Sequence, residues 1–402
     1  MSHTPIHERL PEQPHCESAS DKLRASSMRW RLATFPETNK GNPHLDLLYQ
    51  ALAVHQIRRI EEARFDSDWL QKRRDAIDAV HIHWPERIWR GRVKGRLDRA
   101  WKACTLYQVR RLLNLRRFLK KAREFGIRIL WTVHNVEHHE GASWVDRWGY
   151  RTLGRQSDLL IVYGTSGEEA VRKHYAGVRR TLVMGHGNYA NQYPDARPRS
   201  GVVSDLGLDP DKPVVCCVGI LRKQKGAELA CEAIRRLRGS VQLVVAGQLH
   251  RSVDEATFRN DVETTPGAVL LDRQLSDQEF SDIVGASTAV LLPYRKVTGS
   301  GVLFAAWSLG RGVIASDLPF FREMIAVDAN CGTLFHAGDA DDLAAAISRF
   351  LQIPGKNRQR AADQMTEKYS WDRCIEPLVA VFHEWELQRR SSLVEQRRAN
   401  TP

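Results

Sequence analysis

Twice along this chain, short runs of β-branched and apolar residues alternate with stretches of helical period, and a polar, proline-punctuated segment separates the two series. The first series runs through Trp30 to Phe35, Ala79 to His83, Arg128 to His134, Leu159 to Tyr163 and Thr181 to Met184. Beyond Pro194, Pro198, Pro210 and Pro213 it restarts with Val214 to Val218, Val241 to Ala246, Val269 to Leu271, Ala289 to Leu292 and Val313 to Ala315. Strands that alternate with helices build mostly parallel sheets, and a run such as VVCCV, with no polar alternation, expects cover on both faces. The expected fold class is α/β, two Rossmann-like doubly wound domains facing a cleft. Length agrees, because 402 residues exceed the roughly 250–300 that a single core holds. The implied division is a disordered tail over 1–27, a first domain over 28–195, a linker over 196–213 and a second domain over 214–370. A helix over 371–387 is expected to return to the first domain, ahead of a disordered tail over 388–402.

Several classes of protein fall away. No stretch approaches the roughly 18 consecutive apolar residues of a membrane span. The first 27 residues carry no apolar secretion core, so the chain is expected in the cytoplasm. Seven scattered cysteines without a C-x2-C pair read as buried thiols rather than disulfides or zinc ligands. Charge is concentrated: residues 90–123 hold thirteen Lys/Arg against one Asp, an excess equal to the net +12 of the whole chain. Trp101, Leu106, Leu112, Leu113, Leu115, Phe118 and Leu119 interleave with those charges at helical spacing. Such a segment suits an anionic membrane surface, or simply covers a sheet with a solvated basic face. No nucleic-acid reading module accompanies it, so nucleic acid is not the expected partner.

In open α/β sheets ligands bind beyond the carboxyl ends of the strands, so chemistry is sought in the loops there. GILRKQKG (219–226) follows the first strand of the second domain and leads into a helix, placing Arg222 and Lys225 where a diphosphate fits. LLPYRKVTGSGVLFAAWSLGRGVIAS (291–316) supplies Tyr294, Arg295, Thr298, Gly299, Ser300 and Gly301 between a strand and a helix; small residues there let backbone approach a phosphate. In the first domain WTVHNVEHHE (131–140) puts His134, Glu137, His138, His139 and Glu140 at a strand end, and HIHWPE (81–86) ends on Glu86. His and Glu in a cleft loop serve as sugar contacts or general bases. His81 and His83 share a strand face, so a metal pair and satisfied structural histidines are open alternatives. The acid pairs DSD (66–68), DPD (209–211) and DAD (339–341) read as turns or helix caps.

Taken together with NPHLDLLYQAL (42–52), these motifs resemble GT-B glycosyltransferases, and among them the bacterial exopolysaccharide β-1,4-mannosyltransferases of xanthan-type assembly, over about residues 28–385. The resemblance implies a nucleotide-sugar donor bound by the second domain, a polyprenyl-diphosphate-linked saccharide acceptor bound by the first, and no metal or other cofactor. It assigns Arg222, Lys225, Arg295, Ser300 and Gly301 to the donor diphosphate, Tyr294 to donor binding, His134 to the donor sugar, and Glu140 or Glu86 to deprotonation of the acceptor hydroxyl. Glu37, Glu137 and Asp146 are further candidates for that base. The retaining branches of the fold carry two glutamates eight positions apart in the last motif. Val297 and Ala305 stand there instead. That departure implies inversion, with GDP-mannose the first choice of donor and UDP-glucose or UDP-glucuronate behind it. The implied location is peripheral, on the inner face of the cell membrane. Two other classes of function stay open at this point: a lipid- or nucleic-acid-binding protein on an inactive fold, and a metal-dependent hydrolase.

Overall fold

The computed structural model describes residues 29–36, 42–60, 64–90, 101–136 and 142–399. In the first half β1 (Trp30–Phe35), β2 (Ile57–Arg59), β3 (Ala79–Ile82), β4 (Arg128–Thr132), β5 (Leu159–Tyr163) and β6 (Thr181–Met184) form one sheet in the order β2-β1-β3-β4-β5-β6. In the second, β7 (Val214–Val218), β8 (Gln242–Ala246), β9 (Ala268–Leu271), β10 (Ala289–Leu292), β11 (Gly312–Ser316) and β12 (Gly332–Phe335) take the order β12-β11-β10-β7-β8-β9. Every pairing is parallel. All residues of β3, β5, β7, β8, β10 and β11 are buried, because helices cover both faces and nothing rewards polar alternation. The sheet order reverses direction between β1 and β3 in the first domain and between β7 and β10 in the second. Ligands of open α/β sheets bind at such points, and the motifs at 219–226 and 291–301 follow β7 and β10, while HIHWPE follows from β3 and WTVHNVEHHE from its neighbour β4.

Three features differ from the sequence reading. The edge strands β2 and β12 are additional; each is at most four residues long, and IRR carries no apolar run to announce it. The linker is not bare: Arg199–Asp205 is helical, and Arg197 bonds Asp282 through its backbone N–H (2.8 Å) and its Nε (2.7 Å), fastening the segment to the second domain. The tail expected to be disordered from 388 is helical as far as Ala399, part of the single helix Trp371–Ala399. Arg389 bonds Asp78 (3.2 Å) and Arg390 bonds Glu386 (2.9 Å), so the extension is held by ion pairs rather than by an apolar pattern. That helix lies against the first domain, where Phe382 packs edge-on to Trp30 and Trp371 Nε1 donates to the Asn188 carbonyl. One apolar cluster runs continuously from Trp30 and Leu48 through Phe382 to Phe304 and Val313, tying the two domains together.

Helix Trp101–Glu124 turns one face inward, burying Leu112, Leu115, Phe118, Leu119 and Ala122 in the first domain's core. Truncating one of these leucines to alanine costs about 2–5 kcal/mol. Three of the five leucines noted in the sequence are therefore core. Leu106 (71% exposed) and Leu113 (39%) are not, and they share the outer face with exposed Arg110, Arg116, Arg117 and Lys120. Among the described residues no helix is long and apolar enough to cross a membrane.

Candidate functional site

At the β7/β10 crevice, two loops are laced to each other: the Arg295 N–H donates to the Gln224 carbonyl at 2.8 Å. Between β7 and helix Ala227–Arg236 the chain makes a tight turn that only glycine permits. Gly226 has φ +64°, and a Cβ there would lie 2.1 Å from the Pro293 carbonyl oxygen. This turn tucks Lys225 inward, its Nζ 3.5 Å from the Val218 carbonyl and 5.7 Å from the centre of the Tyr294 ring. Desolvation lowers the lysine pKa to about 8, with Arg222 adding to the fall and Cys217 opposing it. An anion placed beside this half-buried amine would restore its charged form. Ser300 caps helix Gly301–Ser308 by accepting from the Leu303 N–H, and Tyr294 is hydrogen-bonded to Ser300. Lys225, Tyr294, Ser300 and Gly301 are thus brought together. Arg222 is beside them, Nη1 3.3 Å from His250 Nε2. Arg295 is turned outward instead, in an ion pair with Glu228 at 2.6 Å.

Facing these loops, the first domain presents a nest of imidazoles. Tyr49 Oη lies 2.8 Å from both His81 Nδ1 and His83 Nε2; His81 Nε2 is 2.8 Å from Thr132 Oγ1, and His83 Nδ1 is 3.0 Å from His134 Nε2. Alongside, His44 Nε2 meets Tyr163 Oη at 2.7 Å, and the His186 ring stacks between His44 (4.3 Å) and Phe304 of the second domain (4.7 Å). Burial drives every one of these rings toward neutrality: His81 to about 3, His186 to about 4, and His44, His83 and His134 well below the usual value. The pair His81/His83 therefore shares a tyrosine hydroxyl. Among the described residues no three His, Cys, Asp or Glu side chains are placed to hold a metal ion together.

The two halves meet at His134. Thr298 Oγ1 donates to the His134 carbonyl at 2.6 Å, Gly299 packs on Tyr163, and Gly301 leaves room for Tyr189 Oη, which a Cβ would approach to 2.8 Å. Trp84 stacks on the His134 ring at 4.1 Å and 13°, with φ +36°, a backbone value that a bulky residue holds only under constraint. His44, Tyr49, Tyr163, His186 and Tyr189 escaped the sequence reading as site residues. The available signal was a histidine and a tyrosine on the buried side of the leucine-rich segment HLDLLYQAL.

The candidate bases separate. Glu86 opens the short helix Glu86–Trp89, accepts from Tyr150 Oη at 3.1 Å and is raised in pKa by burial, which suits proton abstraction near neutrality. Asp146 does not suit it. Burial would raise its pKa, yet bonds from Arg90, Ser143 and Trp89 outweigh that and hold it far below the ordinary carboxylate range. Asp146 is the inner half of a capping box and a 2.6 Å ion pair with Arg90. Arg90 is accordingly half-buried and paired with a buried carboxylate, although it heads the basic segment in sequence. Glu37, Glu137 and Glu140 lie outside the described residues, as do residues 91–100 of the basic segment. The acid pairs are turns and caps, with Asp66 and Asp339 capping helices Ser67–Arg73 and Ala340–Leu351 and Asp209 accepting from the Asp211 N–H.

Away from the cleft, helices Trp101–Glu124 and Trp144–Gln156 flank two adjoining grooves of about 340 and 470 Å³, lined by Arg116, Trp148, Arg151 and Arg155 and by Leu113, Arg117 and Lys120 respectively. Arg116 sits over the Trp148 ring at 5.6 Å, and Trp144 is 52% exposed. The second of these helices lies outside the stretch that sequence charge singled out.

Residues 212–352 match the family described as Glycosyl transferases group 1. The GDP-mannose:glycolipid 4-beta-D-mannosyltransferase of Xanthomonas campestris pv. campestris is 26% identical over 366 residues, 86% of this chain and 91% of that protein. Alpha-maltose-1-phosphate synthase of Mycolicibacterium smegmatis is 24% identical over 286 residues, 64% of this chain and 73% of that one. Among solved structures, Anabaena HepE in complex with UDP-glucose superposes with a TM-score of 0.62 at 14% identity, covering 91% of this chain and all of that one, a likeness of fold. Residues 212–352 are thus a group 1 transferase domain within a chain of GT-B architecture, and the protein is a glycosyltransferase.

Proposed function

We propose that this enzyme transfers mannose from GDP-mannose, with inversion and without a metal ion, to a polyprenyl-diphosphate-linked saccharide during exopolysaccharide assembly. The observation that carries the reading is the junction of the two domains, where the loop holding Tyr294 and the Ser300–Gly301 helix start, with Lys225 beneath it, is bonded through Thr298 to the His134 carbonyl. On this account the acceptor hydroxyl attacks the anomeric carbon as Glu86 or Glu140 takes its proton. The nucleoside diphosphate leaves toward Lys225, Arg222 and the Ser300–Gly301 N–H groups, cations and dipoles that do the work a metal does elsewhere. Ala305, buried at 2%, leaves no carboxylate where retaining relatives of the fold hold one, which supports inversion.

The choice of mannose draws on the Xanthomonas relative, whose similarity spans nearly all of both chains and whose name specifies GDP-mannose and a glycolipid. The HepE complex favours UDP-glucose as the second donor to try. Acceptors of this kind reside in a membrane, and the exposed Leu106, Leu113, Trp144 and the surrounding arginines suit its anionic inner face. Thermal stabilisation across GDP-, UDP- and dTDP-sugars in EDTA tests the donor assignment. A shift with GDP-mannose above the rest is expected, and a shift confined to another nucleotide overturns the choice.

A further inference from the structure

Resting on the reading of His134 as a contact to the donor sugar, we infer that Tyr49, His81, His83 and Thr132 are positioning residues whose hydrogen-bond chain decides whether His134 offers the cleft a donor or an acceptor. The chain runs Thr132 Oγ1, His81, Tyr49 Oη, His83, His134, with every link between 2.8 and 3.0 Å. Thr132, Tyr49, His81 and His83 are buried, so water does not substitute for a missing partner. His134 is half-buried, and its Nδ1 bonds to nothing among the described residues, which leaves that nitrogen as the free end of the chain.

Counting protons gives the result. A neutral imidazole carries one N–H and one lone pair, and a tyrosine hydroxyl has a single proton to donate. Burial keeps the three rings neutral, so no ring supplies two donors. If Tyr49 donates to His83 Nε2, His83 bears its proton on Nδ1 and donates to His134 Nε2, and His134 must bear its own proton on Nδ1. On the other side, His81 then donates from Nδ1 to Tyr49 and accepts at Nε2 from Thr132. The cleft meets a donor. If Tyr49 donates to His81 instead, every bond reverses, all three rings carry Nε2–H, and the cleft meets a lone pair. Both arrangements hold the same number of protons and the same charge. A mixture either sets two lone pairs or two N–H groups against each other, or has His81 and His83 both donate to the Tyr49 oxygen and strands the hydroxyl proton in a buried site without a partner. His81, His83 and His134 must therefore share one tautomer, although His81 and His134 do not touch. Trp84 stacked on His134 and Thr298 bonded to its carbonyl hold the ring in register for this.

The test is two-bond ¹H–¹⁵N correlation of histidine side chains in the full-length protein labelled with ¹⁵N-histidine, alongside donor binding and turnover. The three rings should be neutral and of one tautomer. Tyr49→Phe should change the tautomer pattern of His134, which Tyr49 does not contact, and lower kcat about tenfold with the donor KM within about twofold. Should Tyr49→Phe fail to fold, Thr132→Val should shift the His134 pattern while Thr132→Ser, which keeps the hydroxyl, preserves it. Rings of different tautomer in the unmodified protein overturn the inference, as does a His134 pattern indifferent to Tyr49→Phe or identical in the two Thr132 variants. Coupled tautomers in a protein that binds no nucleotide sugar uphold the chain and overturn the proposed function.

Discussion

If a donor diphosphate sits on Lys225, binding it must take up protons. The free lysine has a pKa of about 8 because the tight Gly226 turn desolvates its ammonium, and a diphosphate placed there returns it to its ordinary range above about 10. At pH 8 about half of the molecules are charged before binding and nearly all afterward, so about 0.5 proton is absorbed per donor bound; at pH 8.5 the uptake is about 0.75, and at pH 7 about 0.1. The affinity should weaken about fourfold between pH 7 and 8.5, close to 0.8 kcal/mol. A nucleotide sugar is the right ligand, since its diphosphate has no proton that titrates in this window, and Cys217, pushed well above its usual range by burial, stays protonated. Isothermal titration calorimetry in buffers of different ionisation enthalpy reads the uptake directly. Lys225→Arg supplies the control, because a guanidinium remains charged throughout and should bind without absorbing protons. Uptake near zero at pH 8.5, or the same pH slope in Lys225→Arg, refutes the argument that this lysine meets the phosphates.

Acid should destabilise the fold early. The buried imidazoles have folded pKa values below the unfolded 6.5, so their contribution is complete above about pH 6.5 and is lost as pH falls toward 4. Each ring removes at most about 1.4 kcal/mol per pH unit, which a series of Tm values across pH 7.5 to 4.5 will display. Asp146→Ala strands Arg90 and removes a helix cap, and denaturant unfolding should register a loss of about 3–5 kcal/mol. Gly226→Ala forces a side chain against the Pro293 carbonyl at positive φ, so donor binding should disappear while circular dichroism reports a folded protein. Replacing Arg110, Arg116, Arg117 and Lys120 with glutamine should weaken sedimentation with anionic vesicles by about fivefold per charge, at about 1 kcal/mol each, with donor binding untouched; unchanged sedimentation would return this face to ordinary solvation.

What could be read in the sequence was what local physics determines. β5, β7 and β10 are continuous apolar runs because they are buried on both faces, and the loops after β7 and β10 declared themselves through glycines and cations at the point where the sheet order reverses. β2 (IRR) and β12 (GTLF) are edge strands without a continuous apolar run, and Arg389 in helix Trp371–Ala399 is paired with Asp78, more than three hundred residues away. The histidine nest was only half visible for the same reason. HIH and His134 announced themselves, yet what makes them a chain is Tyr49 from a helix, and what closes the cleft is His186 and Tyr189 from the segment after β6. Charge misled at one point. Arg90 looked like the head of a membrane-facing series, and its partner Asp146 lies 56 residues on, where it looked like a candidate base; the two neutralise each other at a half-buried ion pair.

The most direct test of the central claim is transfer itself. Purified protein is incubated with GDP-mannose and a polyprenyl-diphosphate-linked saccharide in EDTA, and the lipid fraction is read by mass spectrometry with the anomeric configuration of any product determined by NMR. The account predicts addition of one mannose in the β configuration, lost in Lys225→Ala. An α-linked product would contradict inversion. No hexose transfer from GDP-mannose or any other nucleotide sugar would contradict the account at its root.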